Sequence, residues 1–395
     1  MACNFSFDPT RRGLLQGAAG GLALSLGGAS LGFSAAHSDN KLIVVILHGG
    51  MDGLNVVVPT FSSEYYAARP GIAIAPAGEA NGAIALTDGF GMHPAMPNLA
   101  QMYLKGEAAF LHAASAPYNK RSHFDGQDVL ENGTTAAFGA QTGWLNRAIG
   151  LAPALPAGLG IGSTVTLVLT GEQPIASWAA PKTTPASAET VNKVLEIYGP
   201  DPILQAALQG SIDIANIVGD LGNLGTGFEF TARAAGRIMA ADGGPGGCAI
   251  GYSGWDTHAN QGGSTGILAN NLSQLDTALL ALKQELGSTW SRTTVLVATE
   301  FGRTFNENGT GGTDHGVGGV SFLLGGAVKG RRFLGDWPGL QTSQLYQNRD
   351  LLAANDLRSM FKGVLRDHWG VDLSDLNNSV FPESSIVSPM ENLLL

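Results

Sequence analysis

Two kinds of apolar pattern alternate along this chain. Short, almost continuous apolar runs occur at residues 41–47 (KLIVVIL, rich in Ile and Val), 108–113 (AAFLHA) and 293–299 (TTVLVAT). Such runs predict strands buried on both faces, as in a parallel sheet. A longer stretch, ILANNLSQLDTALLALKQELG, repeats leucine every three or four residues, at Leu268, Leu272, Leu275, Leu279, Leu282 and Leu286. That spacing predicts an amphipathic helix. MPNLAQMYLKGE ahead of the second run and NDLRSMFKGVL near the C-terminus predict further helices, and VSFLLGGAV continues the series. Helix, buried strand and glycine-containing loop in succession is the order of an α/β fold. Residues 151–226 break the pattern; they are rich in Ala, Gly, Pro and Thr and predict a cap or insertion over the sheet, with GDLGNLGTG as a flexible connection. The expected organisation is one α/β domain over residues 37–395 with an elaborated middle.

The first 36 residues stand apart. Arg11 and Arg12 precede Gly-Leu-Leu, a Gly/Ala/Leu-rich stretch follows to Phe33, and Ser34-Ala35-Ala36 offers small residues for cleavage. This resembles a twin-arginine signal peptide; a retained anchor is the alternative. A cleaved signal implies a periplasmic or secreted protein, handled by the twin-arginine translocation machinery during export and left without stable membrane insertion. Export in the folded state also fits a metal bound beforehand.

Composition narrows the function. With 44% hydrophobic and 14% charged residues the chain suits a large core rather than disorder. A net charge of −10 disfavours binding to nucleic acid or anionic lipid through a basic surface. Cys3 lies in the signal, so Cys248 alone remains and no internal disulfide forms; in GGPGGCAIGY it reads as a small buried residue at a strand start. No Gly-x-Gly-x-x-Gly follows a strand, which argues against a dinucleotide-dependent oxidoreductase.

Four polar clusters fall where strands end, the place where open α/β sheets bind ligands. In LIVVILHGGMDGLN, His48 and Asp52 follow the first strand among glycines, so Asp52 is either a divalent-ion ligand or an Asp-Gly turn. In YNKRSHFDGQDVLENG, Ser122 takes the N-cap place of a helix, with Asp125 three residues on and Arg121 and His123 beside it. A hydroxyl there meets the positive end of the helix dipole, which favours phosphate-like or sulfate-like groups. In SGWDTHANQGG, Asp256 and His258 are two apart, so extended backbone aims both the same way, as half of a metal site. In ATEFGRTFNENGTGGTDHGVGG, Glu300 and Arg303 leave a strand, and Asp314-His315 follows in a glycine-rich loop. Three further histidines read as structural: His93 capping a turn, His112 in the core, and His368 ending an exposed C-terminal helix.

HGGMDGLN, RSHFDGQDVLENG, GWLNR, GWDTHANQ, TEFGRTFNENGTGGTDHG and GGAVKG together resemble the signatures of the DUF1501 family, over nearly the whole mature chain. That family is similar in turn to the alkaline phosphatase and sulfatase superfamily. The resemblance implies a three-layer α/β/α sandwich with a mostly parallel central sheet. It also implies one or two divalent ions (Zn, Mn, Ca or Mg) held by Asp52, Asp256, His258, Glu300 and His315. Ser122 matches the nucleophile, and Arg303 or Arg121 would clamp the transferring group. Two departures stand out: Asp256 and His258 are two apart where the superfamily spaces the pair by four, and Phe301 occupies the place of a ligand histidine. His48, His123 or Asp314 would supply a replacement. No sulfatase-type Cys-x-Pro-x-Arg occurs, so a formylglycine nucleophile is not expected. The implied activity is metal-dependent hydrolysis of a small-molecule or glycan phosphate or sulfate ester. The alternative is a non-catalytic envelope binding or assembly protein that keeps the fold.

Overall fold

The computed structural model describes residues 39–154, 157–162, 164–180, 186–219 and 227–395. The signal-peptide reading of residues 1–36 and the centre of the GDLGNLGTG connection lie outside them. Among the described residues nine strands form one sheet. In chain order they are β1 (Lys41–His48), β2 (Ala108–Ser115), β3 (Gly158–Ile161), β4 (Ile175–Trp178), β5 (Gly247–Ser253), β6 (Thr293–Thr299), β7 (Gly319–Leu324), β8 (Arg332–Leu334) and β9 (Asn355–Asp356). Their spatial order is β8-β2-β7-β6-β1-β5-β3-β4, with β9 also on β2. β7 runs antiparallel to both neighbours, and every other pairing is parallel. A separate three-stranded sheet joins Val57–Pro59, Ile84–Ala85 and Phe90–Met92.

Helices cover both faces: α1 (Pro97–Leu104), α2 (His123–Asn132), α3 (Trp144–Leu151), α4 (Ala188–Tyr198), α5 (Pro202–Val218), α6 (Phe228–Ala240), α7 (Ile267–Leu286) and α8 (Leu357–Trp369). The pleat of β1 explains the layering. Ile43, Val45 and Leu47 enter one core with α1, α6 and α7, whereas Leu42, Val44 and Ile46 enter the opposite core with α2, α3 and α8. All six are at most 1% exposed. Each such burial contributes about 1.5–3 kcal/mol, which makes β1 the spine of the domain. The molecule is therefore the expected three-layer α/β/α sandwich with a mostly parallel sheet. Residues 151–226 extend the sheet through β3 and β4 and add α4 and α5.

His368 differs from its sequence reading. It is 5% exposed, and its Nε2 donates to the Lys41 carbonyl at 3.0 Å. Burial lowers its pKa to about 4, so it sits as a neutral ring at the foot of β1 rather than as an exposed cation. Cys248 is fully buried in β5, and burial pushes its thiol pKa well up. Among the described residues no helix is long and apolar enough to cross a membrane.

Candidate metal centre

The parallel strands β1, β2, β5 and β6 end on one edge of the sheet, and the loops beyond them converge. Glycine permits the closest approach. Gly49 has φ +126°, and a Cβ there would lie 2.6 Å from the Asp256 nitrogen. The loop after β5 thus packs directly on the backbone leaving β1.

Three histidines and one aspartate meet in this space. His123 is the first residue of α2, Asp256 and His258 follow β5, and His315 lies in the loop between β6 and β7. His315 Nε2 lies 2.9 Å from His123 Nε2 and 2.9 Å from His258 Nε2. Asp256 Oδ1 lies 3.3 Å from His123 Nε2, 3.0 Å from His258 Nε2 and 3.3 Å from His315 Nε2.

The far side of each ring fixes its tautomer. His315 Nδ1 faces the Arg121 carbonyl at 2.8 Å, so it carries the proton and donates. His123 Nδ1 donates to Glu300 Oε1 at 2.7 Å, and His258 Nδ1 donates to Asp314 Oδ1 at 3.0 Å. In the neutral rings all three Nε2 lone pairs then point inward. Unprotonated nitrogens so close repel one another unless a proton or a cation lies between them. Oxygen acceptors behind metal-binding histidines are the usual outer support of such sites. Tetrahedral zinc with bonds of about 2.0–2.2 Å sets its ligands about 3.3–3.6 Å apart, and the separations of 2.9–3.3 Å among His123, His315 and Asp256 come within a few tenths of an ångström of that.

The electrostatics agree. Burial works to raise the Asp256 pKa, but the hydrogen bond and charge of Arg303 outweigh it and hold the carboxyl below its usual range. Glu300 is likewise held low against burial, by His123, Gln127 and the Gly49 N–H. Burial pulls His123 down, yet Glu300 and Asp256 raise it on balance. Burial lowers His315, and the nearby His123 and Arg303 add to that.

The other sequence-predicted residues surround the group rather than join it. Glu300 is buried behind His123, its Oε1 also taking the Gly49 N–H at 2.9 Å and Gln127 Nε2 at 3.0 Å. Asp314 stands behind His258. Arg303 is 1% exposed and donates through Nη1 to Asp256 Oδ1 at 2.7 Å. Arg121, at φ +62°, pairs with the buried Asp350 and presents its carbonyl to His315. His48 Nε2 pairs with Glu131 Oε1 at 3.1 Å, apart from the three histidines. Asp52 is 1% exposed, and its Oδ2 accepts from Arg69 Nη1 at 2.6 Å and Gln261 Nε2 at 2.7 Å. Ser122 occupies the N-cap position of α2, but its side chain makes no capping bond, and Asp125 instead accepts from the Tyr118 hydroxyl at 3.2 Å. Phe301, in the place of a ligand histidine, stacks on the His123 ring with centroids 4.9 Å apart.

Sequence reasoning did not single out Arg69, Gln127, Gln261, Thr313 or Asp350. Each is a buried or half-buried partner of a loop distant in sequence, and no local pattern marks such a residue.

Residues 39–378 match the family model described as "Protein of unknown function (DUF1501)", and the chain belongs to that family. No curated protein matches it. Among solved structures it is similar to Ps i-CgsB in complex with k-i-k-neocarrahexaose, at 10% identity and TM-score 0.42 over 89% of this chain and 77% of that one. It is also similar to the zinc complex of the C-terminal periplasmic domain of EcEptC from Escherichia coli, at 11% identity and TM-score 0.39 over 92% and 93%. A third is the alkaline phosphatase of the Antarctic bacterium TAB5, at 12% identity and TM-score 0.34 over 73% and 92%. At these similarities none of the three bears on activity.

Proposed function

We propose that this DUF1501 protein is an exported metal-dependent hydrolase of phosphate or sulfate esters, with Ser122 as nucleophile. The observation that carries the reading is the meeting of His123 Nε2, His315 Nε2 and Asp256 Oδ1, with His258 Nε2 beside the last two and each ring supported by an oxygen behind it. Three imidazoles and a carboxylate suit zinc best among the divalent ions. A divalent ion held there lowers the pKa of a hydroxyl brought to it and neutralises charge on the transferring group.

The chain's own residues supply the rest. Ser122 adjoins His123, and its hydroxyl is not used to cap α2. The N-terminus of α2 favours the negative oxygens of a phosphoryl or sulfuryl group. In the proposed reaction Ser122 Oγ bonds to phosphorus or sulfur and the ester oxygen departs as an alcohol carrying the hydroxyl proton. Water then cleaves the seryl ester and restores the serine. Arg11 and Arg12 support export by the twin-arginine route, and a small-molecule or glycan ester is the substrate class that fits an exported enzyme.

Elemental analysis of the purified protein, joined to a screen of generic phosphate and sulfate esters, tests the reading. One bound divalent ion per chain is expected, lost in His123→Ala and His315→Ala. Ser122→Ala should keep the ion and lose turnover. Wild-type protein that binds metal but cleaves no ester would favour a binding or assembly role in the envelope.

A further inference from the structure

Asp52 lies outside the histidine cluster, yet an unbroken chain of hydrogen bonds, buried as far as Arg303, joins it to Asp256. Gln261 Nε2 donates to Asp52 Oδ2 at 2.7 Å. Thr313 Oγ1 donates to Gln261 Oε1 at 2.7 Å, and Arg303 Nε donates to Thr313 Oγ1 at 3.2 Å. Arg303 Nη1 then donates to Asp256 Oδ1 at 2.7 Å. Asp52, Gln261, Thr313 and Arg303 are all at most 1% exposed.

The chain has one polarity. Asp52 Oδ2 accepts from the Gln261 amide nitrogen, which fixes the orientation of that amide. That leaves Gln261 Oε1 facing the hydroxyls of Thr257, at 2.8 Å, and Thr313, so both must donate to it. With its proton spent, the Thr313 oxygen can only accept, and it takes the Nε–H of Arg303. The guanidinium is planar and rigid, so fixing Nε fixes where Nη1 points. Arg69 supports the far end, donating to Asp52 Oδ2 and to the carbonyls of Thr304 and Phe305.

We propose that Asp52 is a positioning residue for the metal centre: through Gln261, Thr313 and Arg303 it sets the orientation of the Asp256 carboxylate. The inference rests on the metal reading of the three-histidine group and assigns Asp52 a role at one remove from the ion.

The test is zinc affinity, measured by competition against a chromophoric chelator well below the unfolding midpoint of every variant. Thr313→Val removes only the hydroxyl link and should weaken zinc binding about tenfold, the size typical of outer-shell losses. Thr313→Ser should restore it. Asp52→Asn should weaken binding comparably, and the double variant should be no weaker than the worse single one, because both break the same chain. Asp276→Asn, a buried polar change elsewhere in the fold, should lower the unfolding midpoint without moving zinc affinity. Thr313→Val and Asp52→Asn proteins that bind zinc as tightly as wild type, or losses that simply add, overturn the inference alone. Wild-type protein that binds no zinc overturns it together with the metal centre.

Discussion

His112 and His368 show what burial does to a single titratable side chain. Both are at most 5% exposed, both hydrogen-bond a backbone carbonyl, and burial lowers both pKa values from 6.5 to about 4. Between those values the unfolded chain binds a proton that the folded chain refuses. Stability is thus fully present above about pH 6.5 and is lost as pH falls toward 4, by roughly 3 kcal/mol for each histidine. Replacing His368 with Gln should flatten the acid limb. Urea unfolding of chelator-treated protein at pH 7, 6 and 5 measures this. A wild-type midpoint that falls no faster than that of the variant would show that His368 is not a buried neutral ring. The sequence marks His112 as a core residue because it lies inside an apolar run. It misplaces His368, because the last turn of an amphipathic helix does not reveal that its final face rests on β1.

At the scale of elements, contacts between segments far apart in sequence hold the fold together. Asp276 on α7 accepts from the backbone nitrogens of Asn98, at 3.1 Å, and Leu99, at 2.7 Å, and so caps α1 from a different helix. Asp276→Ala should destabilise the fold by about 1–3 kcal/mol through the exposed helix end. The midpoint of chemical denaturation is the readout. Gly49 makes a sharper case, because a methyl group there would press on the loop that carries Asp256 and His258. Gly49→Ala should therefore cost metal affinity as well as stability, the latter by about 1–3 kcal/mol from the left-handed backbone. Retention of full zinc affinity would mean that the loop after β5 shifts freely. The elements that were legible in sequence are those whose burial leaves a local trace. β6 matches its apolar run from Thr293 to Thr299, and α7 matches its leucine stripe from Ile267 to Leu286. β3 and β4 left no such trace. They are four-residue strands, GLGI and IASW, set among glycines and prolines, and they form only because β5 offers a free edge.

Across the whole molecule the site is a meeting of strand ends, and that explains how much of it the sequence disclosed. Asp256, His258 and His315 stand out because polar residues are conspicuous just after buried apolar runs. Which atoms meet is a tertiary fact, so the sequence put Asp52 and Glu300 among the candidate metal ligands, whereas in the structure they bond to Arg69 and His123. The same geometry predicts how the molecule responds to metal removal. The four side chains come from α2, the loop after β5 and the loop between β6 and β7, so an ion binding them clamps three segments that are distant in sequence. Binding restricted to the folded state adds stability as RT ln(1 + [L]/Kd), about 2.7 kcal/mol at a free concentration one hundred times Kd. For a domain larger than 150 residues that corresponds to several degrees in the unfolding midpoint. Zinc should therefore raise the midpoint of the wild-type protein and a chelator should reverse the rise. His315→Ala should show neither effect, because its loss removes the nitrogen that both other imidazoles face. Calorimetry of the two proteins with zinc and with chelator checks this, and an equal shift in both would place the ion somewhere other than the three-histidine centre.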